Sequence, residues 1–146
     1  MLAQLEALKG ILDYIPVSFS KTVPLPPPVI YKPAMSYVVR IAGVSGALAV
    51  GLGAYGSHVV LRSPSVPKER KRSLKTSSKY HFFHTLAILA APKAKYPIAT
   101  ASLFACGMLL FCGPCYHYAI QGSDTVKALT PFGGIMLILG WLSFVL

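Results

Sequence analysis

Read by its charged and apolar positions, the chain divides into an N-terminal stretch broken by proline and four apolar runs. Tyr37 to Leu61 carries one formal charge, Arg40, near its start. About 20 apolar residues are enough to cross the hydrocarbon core of a bilayer. Tyr80 to Pro92 is uncharged but only 13 residues long. A crossing there must begin earlier, near residue 76, with Lys75 and Lys79 snorkelling toward water. Tyr96 to Ile120 offers 25 residues without a formal charge, and Ala128 to Leu146 offers 19. Crossings are therefore predicted at about 37–61, 76–92, 96–120 and 128–146. Backbone groups in lipid must be paired within the segment, so these runs are expected to be helices; barrel strands would alternate polar and apolar positions. The expected fold is an all-α membrane protein, a four-transmembrane-helix bundle over residues 37–146 with both termini on one side.

Residues 1–36 differ in character. Leu2, Leu5, Leu8, Ile11, Leu12 and Ile15 recur at helical spacing, which predicts a short amphipathic helix ending near Pro16. The run Pro24 to Pro28 and then Pro33 predicts an extended Pro-rich arm. As a mitochondrial presequence the stretch is poor, because it contains Glu6 and Asp13 and no Arg precedes Arg40. A secretory signal is not expected either, and no fixed-period repeat is found.

Composition supports the bilayer. Hydrophobic residues make up 54% of the chain and charged residues 12%, with a mean hydropathy of +0.59. A small domain buries too little surface to hide that much apolar side chain from water. The net charge of +10 bears first on topology. Seven cations and one acid lie between Arg62 and Lys79. Cations are retained on the side from which helices insert, so this connection and the third one, Gln121 to Lys127, are expected to face the matrix or cytoplasm. Nucleic acid is not expected as a partner, because the basic segment is pinned at a membrane without a recognition fold.

GALAVGLGAYGSH, YHFFHTLAIL, LLFCGPCYHYAI and LTPFGGIMLILGW, one motif in each run, together resemble the transmembrane protein 256 family, which shares a domain of unknown function with small bacterial inner-membrane proteins. The resemblance covers Arg40 to Leu146 and leaves the first 36 residues outside. It implies a four-helix membrane protein, with animal members in mitochondria, and implies no reaction, cofactor or catalytic residue. Where bacterial relatives resemble FSGSLY, this chain has Phe111, Cys112, Gly113, Pro114, Cys115 and Tyr116.

The string CGPC is also found at thioredoxin active sites, but there a strand precedes it and a helix N-terminus activates the thiol. Here it lies inside an apolar run, so Cys112 and Cys115, like Cys106, are expected to be packing residues, with Pro114 as a kink. His58, His81, His84 and His117 are expected to share one layer near the basic end and to point into the bundle. They are the candidate ligands for a metal or haem, or groups on a proton or solute path. The reading preferred here is structural hydrogen bonding, with no metal and no cofactor. Small residues recur at Ser45, Ala49, Gly53 and Ser57 and at Gly43, Ala47 and Gly51, which favours close helix packing; Gly133 and Gly134 can act likewise. Lys68, Arg70, Lys71, Arg72, Lys75 and Lys79 are candidates for binding an anionic lipid such as cardiolipin.

No run holds a carboxylate, and no acid and base are paired for hydrolysis. The expected function is therefore non-enzymatic: a multi-pass structural or accessory component of the mitochondrial inner membrane or of a respiratory-chain complex. The alternative is a small transporter or a metal or haem carrier using the histidines.

Overall fold

The structure, a computed structural model, describes residues 33–146. The predicted amphipathic helix and most of the Pro-rich arm lie outside the described residues. Four helices run in order: α1 (Pro33–Tyr55), α2 (Lys68–Ala90), α3 (Pro97–Gln121) and α4 (Thr130–Leu142). A π-helical turn, Gly56–Val60, continues α1, and 3-10 turns at Ala91–Lys93 and Lys127–Leu129 precede α3 and α4. No strand occurs among the described residues. Proline stands in the first turn of α1, α3 and α4, where its missing N–H breaks no intrahelical bond.

Three boundaries differ from the predicted crossings. The first helix begins at Pro33 rather than at 37, so the last residues of the expected Pro-rich arm are helix, proline being tolerated in the first turn. The second helix begins at Lys68 rather than near residue 76, because Pro67 ends the preceding connection and the basic segment has good helix formers. Most of the predicted connection is therefore helix. The fourth helix is shorter than 128–146: α4 has 13 residues, about 20 Å of helix, and closing turns take over at Ser143, Phe144 and Val145. Among the described residues, Met35–Val60 and Pro97–Gln121 are the two helical segments long and apolar enough to cross a membrane.

Each helix packs on the next in sequence, and α1 touches α3 only lightly. The interior side of α2 is built from Leu74, Ser77, His84, Thr85, Ala87 and Ile88; Leu74, Ser77, His84 and Ile88 follow one another at three, seven and four residues, as one helical face requires. Phe104, wholly buried, centres one apolar cluster with Ile88, Met108 and Leu137. Val60, Leu74, Cys112, Tyr116 and Ala119 form a second. The surface is also apolar. Ile41, Val44, Leu48, Leu109, Ile135 and Ile138 are all more than half exposed, an exterior suited to lipid and costly in water.

α3 and α4 approach at glycine. A Cβ on Gly107 would lie 2.8 Å from Leu137, and one on Gly140 would lie 2.8 Å from Phe104. At Gly133 the neighbours of such an atom are backbone, Phe111 N and Leu110 C. Leu110 is the residue whose carbonyl loses its i+4 partner because Pro114 has no N–H. The close contact of α4 thus falls at the break in the α3 ladder. Gly134 has only ordinary contacts with Phe111.

Candidate functional site

The polar side chains inside the bundle tie helices together. Ser45 Oγ on α1 is 2.6 Å from Thr85 Oγ1 and 3.1 Å from His81 Nε2, both on α2. His81 Nδ1 lies 3.4 Å from the Tyr116 hydroxyl on α3. A Thr85–Ser45–His81–Tyr116 chain therefore joins three helices. His84 joins a fourth. Its Nδ1–H donates to Tyr80 O at 2.7 Å, and the indole N–H of Trp141 on α4 donates to its Nε2 at 3.2 Å. A carbonyl only accepts and an indole only donates, so these bonds define the neutral Nδ1–H tautomer of His84. Tyr80, Phe104 and Trp141 surround the ring, with centroids 5.6 to 6.1 Å away. Nearer the far end of α4, Thr100 and Ser143 hydroxyls pair at 2.8 Å in a buried site.

The histidines do not form one layer. His84 stands beside Phe104, whereas His117 is near the end of α3 and faces Ser123 O at 3.3 Å. Phe104 and His117 are thirteen positions apart (117 minus 104) on that helix, about 20 Å. His58 is exposed: it lies in the π-helical turn that buries Gly56 and Val60 and leaves 57–59 outside. The expectation that all four share one layer and point inward is therefore corrected. Among the described residues no group of three or more His, Cys, Asp or Glu is arranged to hold a metal ion. Cys112 is buried, Cys115 half-buried and Cys106 exposed, and all three are free thiols.

The small-residue stripes also separate. Ala49 is buried, Ser45 is hydrogen-bonded, and a Cβ on Gly53 would lie 3.2 Å from Ser78 Oγ, so this stripe faces α2. Ser57, in the π-helical turn, is exposed. A Cβ added to Gly43 or Gly51 would meet nothing within 4 Å, and that stripe faces away from the bundle.

The six cations do not behave alike. Arg70 turns inward: its Nε–H donates to Ala119 O at 3.1 Å and Nη2–H to Ile120 O at 2.5 Å. It thereby caps the orphan carbonyls and the negative dipole end of α3. Gly122 follows with φ +79, the left-handed closing residue that glycine adopts freely. Ser73 Oγ donates to Cys115 O at 3.0 Å, a second tie between these helices. Lys68, Arg72, Lys75 and Lys79 are exposed, and Lys71 is half-buried. The Arg70 cap and the Trp141–His84 bond were not foreseen from the sequence. For the first, Gly122 after a long apolar run signals a helix end; nothing local signals the second.

A family model described as a protein of unknown function (DUF423) matches residues 52–134. A UPF0382 membrane protein of Haemophilus influenzae is 31% identical over 110 residues, 72% of this chain and 87% of the relative. One from Schizosaccharomyces pombe is 34% identical over 112 residues, 70% and 92% respectively. The UPF0382 inner membrane protein YgdD of Escherichia coli is 32% identical over 111 residues, 72% and 83%. No solved structure matches. With all-helical architecture, two bilayer-length apolar helices and relatives named as membrane proteins in bacteria and fission yeast, the chain belongs to the DUF423 family, whose eukaryotic branch is the transmembrane protein 256 family.

Proposed function

We propose that the chain is a non-enzymatic, four-span protein of the mitochondrial inner membrane, acting as a structural or accessory component that packs against lipid and against a larger complex such as one of the respiratory chain. One observation carries this reading: six interior polar side chains, His81, His84, Tyr116, Thr85, Thr100 and Ser143, are engaged in hydrogen bonds between or along helices, and outside that set the buried Cys112 thiol and Thr130 hydroxyl stand apart from any acid, base or metal-ligand cluster among the described residues. Paired polar groups of this kind hold helices in register where water cannot. The apolar outer face of α1 supports contact with a partner or lipid. The inner-membrane name of the Escherichia coli relative and the presence of a fission-yeast member support an energy-transducing membrane of bacterial ancestry. In this reading α2 crosses with its cationic turns outside the hydrocarbon. The short α4 crosses together with its flanking turns, the mismatch being met by local thinning.

Protease mapping in mitoplasts and native electrophoresis test the two parts. A C-terminal tag should be removed from outside while the 62–79 segment stays protected, because four crossings place them on opposite sides. Cleavage of both from one side overturns the four-span topology. In mild detergent the chain should migrate with a respiratory complex; migration only as the free chain overturns the accessory role.

A further inference from the structure

The outward stripe of α2 changes character along its length. Lys68, Arg72, Lys75, Lys79, Phe82 and Leu86 succeed one another at spacings of four and three, and all are exposed. They therefore lie on one face of the helix. The first four are cations and the next two are apolar. Lys79 and Phe82 are three residues apart, about 4.5 Å of helix, so the change occurs within one turn. A helix leaving headgroups for hydrocarbon has this surface, since a lysine ammonium stays hydrated and an aromatic ring seeks the interface.

At that level a cavity of about 340 Å³ opens between α1 and α2. Lys75, Ser78, Lys79 and Phe82 line it from α2, and Gly53 and Ser57 line it from α1. Two cations, two hydroxyls and an aromatic ring meet where the charged and apolar parts of the stripe join. The absence of a side chain at Gly53 keeps the α1 wall open and brings it close to Ser78 Oγ. Arg70, on another face of α2, is already bonded to the α3 carbonyls.

We infer that the α1–α2 cleft binds one anionic phospholipid, its phosphodiester between Lys75 and Lys79 with Ser57 and Ser78 as donors, and its acyl chain passing over Phe82 and Leu86. The inference rests on the four-span reading above, which places the Lys79–Phe82 boundary at the membrane surface. Charge selects the occupant. The cavity offers two cations and hydroxyl donors and no carboxylate, which suits an anion, and its Phe82 side continues into an apolar face, which a soluble phosphate cannot use. Free phosphate and an anionic lipid share the headgroup chemistry; only the lipid uses both halves.

Amine footprinting of the full-length chain in nanodiscs provides the test. In phosphatidylcholine discs containing phosphatidylglycerol, Lys75 and Lys79 should be protected from acylation relative to Lys68, and in pure phosphatidylcholine they should not. Inorganic phosphate in the millimolar range should leave them reactive. Native mass spectrometry then counts retained phosphatidylglycerol. At about fivefold per cation near a membrane surface, the Lys75→Gln and Lys79→Gln double variant should lose about thirtyfold in retention. Removing equal charge with Lys93→Gln and Lys95→Gln should cost less than about threefold, because these residues lie beyond the far end of α2, about 16 Å or more along the helix from Lys79, and charges farther away than about 8 to 10 Å are screened. Equal losses from the two pairs, equal protection by phosphatidylcholine, or full protection by inorganic phosphate each overturn the site. If the double variant misfolds, footprinting of the unaltered chain decides. Failed protection with intact four-span topology removes only the lipid site, whereas failed topology removes the reading beneath it.

Discussion

A methyl group at position 133 would meet backbone on the neighbouring helix, not a side chain that could swing aside. The atom added to Gly133 would collide with Phe111 N and Leu110 C, so Gly133→Ala must push α4 away from α3. Overpacking of this kind costs about 1–3 kcal/mol, and the midpoint of detergent unfolding should fall accordingly. Gly43→Ala is the control. Nothing lies within 4 Å of its added atom, and alanine is the better helix former, so stability should be unchanged or up to about 1 kcal/mol higher. The reverse ranking would mean that α3 and α4 do not meet at Gly133. Both glycines stand in apolar runs; the neighbour across the interface decides what an added methyl group costs.

Helix α3 shows how an element is finished by a distant residue. Its length follows from its uncharged run, and Gly122 at φ +79 marks its end. Its last carbonyls are nevertheless satisfied by Arg70, 49 and 50 residues away in the chain. Arg70→Gln should destabilise the fold by about 1–2 kcal/mol and speed hydrogen exchange in the final turn of α3. Arg70→Lys should rescue little, because one ammonium does not reproduce the planar fork that reaches two successive carbonyls. Full rescue by lysine would leave only a charge effect. The start of α2 carries the related lesson. A charge-based reading treats Lys68 to Lys79 as a connection, but helix propensity and the packing of Leu74 against Val60 and Cys112 extend the helix through it.

At the scale of the molecule, the arrangement is a sequential bundle in which α1 is held chiefly by α2. The approach of Gly53 to Ser78 makes that contact measurable in native membranes. In a background of Cys106→Ala, Cys112→Ala and Cys115→Ala, the pair Gly53→Cys and Ser78→Cys should form a disulfide on mild oxidation. The pair Gly51→Cys and Ser78→Cys should not, because Gly51 is on the outward stripe. Cross-linking of the second pair in preference to the first would rotate α1 by about half a turn and remove the α1–α2 cleft. The background also checks that Cys112 and Cys115 are packing residues, since their replacement should leave α3 and its contacts in place.

The hydrophobic pattern by itself determined that the chain is helical, where α1 and α3 lie, that glycine faces are available for close packing, and where positive charge gathers. These follow from local physics: backbone groups in lipid must pair within their own helix, and a run of apolar side chains has a length that can be counted. Tertiary structure decided which residues meet. It separated His84 from His117 along the bundle, turned His58 outward on a π-helical turn, shortened α4, and divided one cationic segment into an internal cap at Arg70 and an exposed stripe ending at Lys79. Those outcomes depend on rotation about each helix axis and on partners about fifty residues away, for example the 57 between His84 and Trp141. A residue's type and spacing place it on a helix face, but the direction that face takes is set by the packing of the other helices.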